Sequence, residues 1–132
     1  MPKANETDSK KRKKVLIVED DIALRNVYEM RLKLENYDVL VASDGEEGLS
    51  IAVKEKPDLV LLDLMMPKIS GMDVLDILKS TPETKKIPVI ILTALTQESV
   101  KTKGYVFGAD EFMVKSESKL EAIVSKIKSL MK

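Results

Sequence analysis

Leu59-Val60-Leu61-Leu62-Asp63, framed by Pro57 upstream and Pro67 downstream, is the most telling stretch of this 132-residue chain. Four apolar residues in a row, without polar alternation, suit a strand covered on both faces, as in a parallel sheet. Val15-Leu16-Ile17-Val18 and Val89-Ile90-Ile91-Leu92 repeat the pattern and are rich in β-branched residues. Val39-Leu40-Val41 and Phe112-Met113-Val114 are shorter and have polar flanks, which suits the edges of the same sheet.

Helical periods fill the gaps. Ala23, Val27, Met30 and Leu34 recur at steps of three or four, so they line one helix face. Asp44 followed by Glu47 resembles a capping box opening a second helix, which ends before Pro57. Met72 to Lys79 forms a third, closed by Thr81-Pro82, and Gln97 to Phe107 a fourth that stops at Gly108. Leu120, Ile123, Val124, Ile127 and Leu130 give the last helix the clearest apolar face. Five βα units in succession predict an α/β, doubly wound sheet, with right-handed crossovers placing helices on both faces. Residues 14–132 are read as one domain and 1–13 as a flexible basic arm, solubilising rather than nucleic-acid-binding.

Composition narrows the chemistry. The chain has no Cys and no His, which excludes thiolate nucleophiles, disulfides and imidazole bases; histidine chemistry must come from a partner. Lys plus Arg and Asp plus Glu balance at 22 each, so the whole-chain field neither attracts nor repels nucleic acid. No apolar run is long enough to span a bilayer, and a cytoplasmic protein is expected.

In open α/β sheets ligands bind outside the carboxyl ends of the strands. There the sequence puts Glu19, Asp20 and Asp21 after the first apolar run, Asp63 after the third, Thr93 after the fourth and Lys115 after the fifth. Taken singly, each has an ordinary explanation: Asp20 or Asp21 as a helix cap, Asp63 as a turn residue, Thr93 as a strand end, Lys115 as a surface cation. Together they assemble carboxylates, a hydroxyl and an ammonium at one end of the sheet. Clustered carboxylates call for a cation, and oxygen-only donors suit Mg2+. Asp63 then has a role open to it as a carboxylate nucleophile.

The motifs VLIVEDD (15–21), PDLVLLDLMMPKISGMDVL (57–75), PVIILTAL (88–95) and GADEFMVK (108–115) resemble those of the response-regulator receiver domains of two-component signalling. The resemblance implies a flavodoxin-like, doubly wound five-stranded sheet of order 2-1-3-4-5. It implies that Asp63 is the phosphoacceptor, that Asp20, Asp63 and the Met65 backbone carbonyl bind Mg2+, and that Glu19 does so through a water. Thr93 becomes the switch hydroxyl, Lys115 the site lysine and Phe112 the aromatic switch residue. The phosphodonor would be a sensor histidine kinase or a histidine phosphotransfer protein, and the output partner would meet the surface near the fourth and fifth helices. Such a protein catalyses its own phosphorylation without being a conventional enzyme, as a monomer or weak dimer. The rival reading is a degenerate receiver that serves as a constitutive interaction module.

One departure stands out: Ser116 follows Lys115 where receivers usually have proline. Without proline a cis bond costs about 2.5–4 kcal/mol, so a trans bond is expected. Met65 and Leu95 lie two residues after Asp63 and Thr93, and neither side chain can orient an attacking water. Slow self-dephosphorylation is therefore predicted. Met65→Asn and Leu95→Glu should each shorten the lifetime of a phosphoryl group on Asp63 several-fold, measured by intact mass after removal of the donor. Unchanged lifetimes contradict the prediction.

Overall fold

The structure is a computed structural model describing residues 12–132. The arm assigned to residues 1–13 therefore lies almost wholly outside the described residues. The strands are β1 (Lys14–Val18), β2 (Asp38–Ala42), β3 (Leu59–Leu62), β4 (Val89–Thr93) and β5 (Glu111–Val114). They alternate with α1 (Ile22–Leu34), α2 (Gly45–Glu55), α3 (Gly71–Ser80), α4 (Glu98–Val106) and α5 (Leu120–Leu130). All strand pairs are parallel, in the order β2-β1-β3-β4-β5. This is the flavodoxin-like arrangement, with β1 and β3 adjacent at the point where the winding reverses.

The continuous apolar runs have the physical cause anticipated for them. Alternate residues of each central strand enter two different cores. Val15, Ile17, Leu59, Leu61, Ile90 and Leu92 pack with Tyr28, Leu32, Ile123, Val124 and Ile127 of α1 and α5. Leu16, Val18, Val60, Leu62, Val89 and Ile91 pack with Ala52, Val74, Leu75 and Leu78 of α2 and α3, and with Phe112. A polar residue inside β1, β3 or β4 would thus meet a helix layer on either side. Each full burial of a large aliphatic side chain contributes about 1.5–3 kcal/mol.

Caps set the register in which helices leave the sheet. The Asp21 carboxylate accepts from the Leu24 amide, Asp44 from Glu47 and the Ser70 hydroxyl oxygen from Asp73. The Asp44/Glu47 pair closes as a capping box with one adjustment: the Glu47 carboxylate reaches back to the Ser43 amide at 2.7 Å. α4 is the least anchored helix. It has no side-chain cap, and its one buried residue is Gly104.

The apolar stripe of α1 shows what periodicity leaves open. Ala23, Val27, Met30 and Leu34 do share a face, but it is the solvent face: Val27 is 49% exposed, Met30 66% and Leu34 74%. The core face is Tyr28 and Leu32, with Leu24 at its edge. α1 carries two stripes of the same period, and periodicity cannot say which one meets the sheet. Tyr28 decides it, because its large ring fills the space above β1 and β3.

Gly71 is required by a close approach. A Cβ there would lie 2.2 Å from the Asp63 carbonyl oxygen and 2.5 Å from Leu64 Cα, while the Gly71 amide donates to the Leu64 carbonyl at 3.0 Å. The start of α3 is pressed directly onto the backbone that carries Asp63. Gly71→Ala should destabilise the protein by about 1–3 kcal/mol despite alanine's better helix propensity. Urea unfolding tests this, and a neutral or stabilised variant contradicts the packing.

Candidate active site

Two strand ends bring the three carboxylates together. Glu19 follows β1 and is 3% exposed; Asp63 follows β3 and is 5% exposed. Asp20, next to Glu19, is exposed at the mouth. Each offers one carboxylate oxygen to a set whose members all lie within 4.8 Å of one another. Asp21 takes the other role open to it: it caps α1. The ordinary reading of an acidic pair as helix caps is thus correct for Asp21 and not for Asp20.

Lys115, leaving β5, bridges two of these acids. Its Nζ lies 2.7 Å from Glu19 Oε1 and 3.3 Å from Asp63 Oδ2. The peptide bond after it is trans, since no cis bond occurs among the described residues. A short 3-10 turn over Lys115–Glu117 carries the chain away without proline. The other Asp63 oxygen accepts from the Met65 amide at 3.2 Å, and the Met65 side chain is exposed beside the site. Thr93 is fully buried at the end of β4, and its hydroxyl oxygen accepts from the Leu95 amide at 3.3 Å. Phe112 on β5 is turned inward and buried. Its ring occupies space left by Gly104, where a Cβ would approach it to 3.3 Å.

Electrostatics follow from this crowding. Burial pushes the Glu19 carboxyl up to about 7; the Lys115 hydrogen bond opposes the shift and the Asp63 charge adds to it. Burial alone would lower the Lys115 ammonium, but the Glu19 hydrogen bond and the Asp63 charge outweigh it and hold the group above its ordinary value. Tyr28, also pushed up to about 12 by burial, senses Lys115, Glu19 and Asp63 through its charge interactions.

The donor set suits a hard divalent cation. Three carboxylates supply oxygen only, and the chain has no His or Cys to attract zinc or copper. One ammonium cannot neutralise three carboxylates, and Asp20 lies beyond its contacts. Of the residues named from the sequence, Glu19, Asp20, Asp63 and Lys115 come together here, and Thr93 and Phe112 lie buried on the adjoining strands β4 and β5. Two neighbours were not named. Gly71 is one, and Arg25 is the other, its Nη1 donating to the Glu19 carbonyl at 3.1 Å.

A family model for the response regulator receiver domain matches residues 15–128. The chain belongs to that family. It is 42% identical over 118 residues to a protein described as a probable transcriptional regulator, ycf27, of Porphyridium aerugineum, covering 88% of this chain and 48% of the relative. It is 37% identical over 119 residues to the DNA-binding dual master transcriptional regulator RpaA of Synechocystis, covering 90% and 49%. The receiver chain thus spans about half the length of the curated relatives it matches. Among solved structures, the BeF3-activated N-terminal receiver domain of RstA from Klebsiella pneumoniae superposes with a TM-score of 0.83 at 26% identity, covering 90% of this chain and 98% of that one. A CheY-like receiver domain protein from Methanospirillum hungatei gives 0.85 at 26% identity, covering 91% and 94%. No described helix of this receiver is long and apolar enough to cross a membrane.

The raised Glu19 pKa has a measurable consequence for the metal-free receiver. A carboxyl whose folded-state pKa exceeds its ordinary 4.5 favours folding fully below that value, and the advantage is lost as pH rises through about 7. In chelator, the melting temperature should fall between about pH 5 and pH 8, and Glu19→Gln should flatten that slope. Equal slopes in the two proteins contradict the assignment.

Proposed function

We propose that this receiver is a Mg2+-dependent phosphoacceptor in which Asp63 takes a phosphoryl group from a partner's phosphohistidine. The observation that carries the reading is the acidic set Glu19, Asp20 and Asp63 with Lys115 seated on Asp63 and Glu19. Asp20, Asp63 and the Met65 carbonyl would hold the ion, with Glu19 acting through a water. Once bound, it neutralises charge as the phosphoryl group moves.

An Asp63 oxygen attacks phosphorus as the phosphorus–nitrogen bond to the donor imidazole breaks, and the imidazole leaves with that electron pair. Lys115 orients the carboxylate beforehand and then follows the charge onto the phosphoryl oxygens. The modification adds roughly 1.5 to 2 negative charges and new acceptor oxygens. Thr93 turns from the Leu95 amide to one of these oxygens. Phe112, beneath it, couples the event to the surface of α4, β5 and α5, biasing an equilibrium between two surface states.

The solvent-facing stripe of α1 supports a protein-sized donor. Ala23 begins it next to the acidic turn, and the exposed Val27, Met30 and Leu34 continue it away from the site. With Leu120 of α5 it forms an apolar groove. A donor helix laid there would be held along α1 while its phosphohistidine faces Asp63.

Labelling of purified protein by acetyl phosphate tests the proposal. A gain of one phosphoryl group, dependent on Mg2+ and absent from Asp63→Ala, is expected by intact mass. Met30→Glu with Leu34→Glu should leave that labelling intact while slowing transfer from a phosphorylated histidine protein at least several-fold. No labelling under any condition would instead favour the constitutive interaction module.

A further inference from the structure

Arg25 is in an unfavourable place for a cation. It is the fourth residue of α1, in a first turn with no acidic residue, where the helix dipole presents partial positive charge. Among the described residues no carboxylate lies within ion-pair distance of it. The one hydrogen bond of its side chain runs from Nη1 to the backbone carbonyl of Glu19 at 3.1 Å. That carbonyl belongs to the turn that carries the acidic pair.

Glu19 is thereby held on every side. Its amide donates to the Ala42 carbonyl of β2 at 3.0 Å. Its side chain accepts from the Asp21 amide at 3.2 Å and from Lys115 at 2.7 Å. Arg25 holds the remaining polar group, the carbonyl between Glu19 and Asp20. Without it the turn is tied to β2 before Glu19 and to α1 only at Asp21, leaving the Glu19–Asp20 peptide free to rotate. A rotation there would move the Asp20 carboxylate relative to Asp63.

We propose that Arg25 is a positioning residue for the divalent-cation site, fixing the Glu19–Asp20 peptide so that Asp20 faces Asp63 before the ion arrives. This rests on the reading of Glu19, Asp20 and Asp63 as a Mg2+ site. Coulomb's law acting alone makes the opposite prediction, which gives the proposal its sign. Removing a cation from the neighbourhood of Mg2+ should tighten the ion's binding; losing a positioning contact should weaken it.

The test is a Mg2+ titration of the full chain, followed by amide NMR shifts, for wild type, Arg25→Met and Arg25→Lys. Arg25→Met should bind Mg2+ about tenfold more weakly, as loss of an outer-shell partner typically does, and Arg25→Lys should recover most of the affinity. In metal-free protein, amide exchange at Glu19–Asp21 should accelerate in Arg25→Met. Labelling of that variant by acetyl phosphate should return to the wild-type rate at saturating Mg2+. Unchanged or tighter Mg2+ binding by Arg25→Met would overturn the proposal, as would equal losses in the two variants. A wild-type protein that fails to bind Mg2+ would sink the metal site itself, and with it this role for Arg25.

Discussion

Three carboxylates, Glu19, Asp20 and Asp63, offer oxygens within 4.8 Å of one another, and Lys115 is the cation that meets two of them. In water such a set would drift apart. Here Glu19 and Asp20 are fixed at the end of β1 and Asp63 at the end of the neighbouring β3, so the repulsion is carried by the fold. Burial, with a smaller push from the Asp63 charge, raises the Glu19 carboxyl to about 7. Everything else about the carboxyl end of the sheet reads as support for that arrangement. β1, β3 and β5 deliver the acids and the ammonium. Gly71 lets α3 close against the Asp63 backbone, and Arg25 holds the Glu19 carbonyl. The acids and the ammonium are thus held in place by the sheet before any ion arrives, which is the condition for a preorganised site.

Under the proposed phosphorylation the same arrangement would give a response its direction. Phosphorylation would exchange one carboxylate charge for a larger one and give Lys115 and Thr93 new acceptors. α4 is the element with least to hold it, since its buried residue is a glycine and its start lacks a side-chain cap. Phe112 lies between Gly104 of that helix and the interior, already turned inward. In the proposed switch, a change at Thr93 would reach a weakly anchored helix through the Phe112 ring, and packed elements respond in steps more than by continuous deformation.

How much of this the sequence displayed depends on the range of the interaction. The parallel sheet was legible because burial on both faces removes polar alternation, and β1, β3 and β4 have none. The site was legible because the chemistry sits at strand ends, which the apolar runs mark to the residue. Which face of α1 meets the sheet was not legible, because Tyr28 and Leu32 repeat with the same period as Val27, Met30 and Leu34, and only the shape of the sheet distinguishes the two faces. Gly71 and Arg25 escaped notice for a related reason. One is defined by an approach of backbone to backbone, the other by a turn that folds a side chain back across six residues. Neither leaves a periodic trace, although a cation in the first turn of a helix was a signal available to be used. Ser116 was legible as a departure, and the structure shows that Lys115 reaches Glu19 and Asp63 across a trans bond.

The central claim is that these acids form a divalent-cation site built around Asp63. Crystals soaked in Mn2+, with anomalous diffraction collected, test it most directly. The account predicts one ion bound directly by Asp20 and Asp63 at about 2.0–2.2 Å, the range for hard cations of this size, with Glu19 one water away. An anomalous peak elsewhere, or none at saturating Mn2+ with the three carboxylates in place, would contradict it.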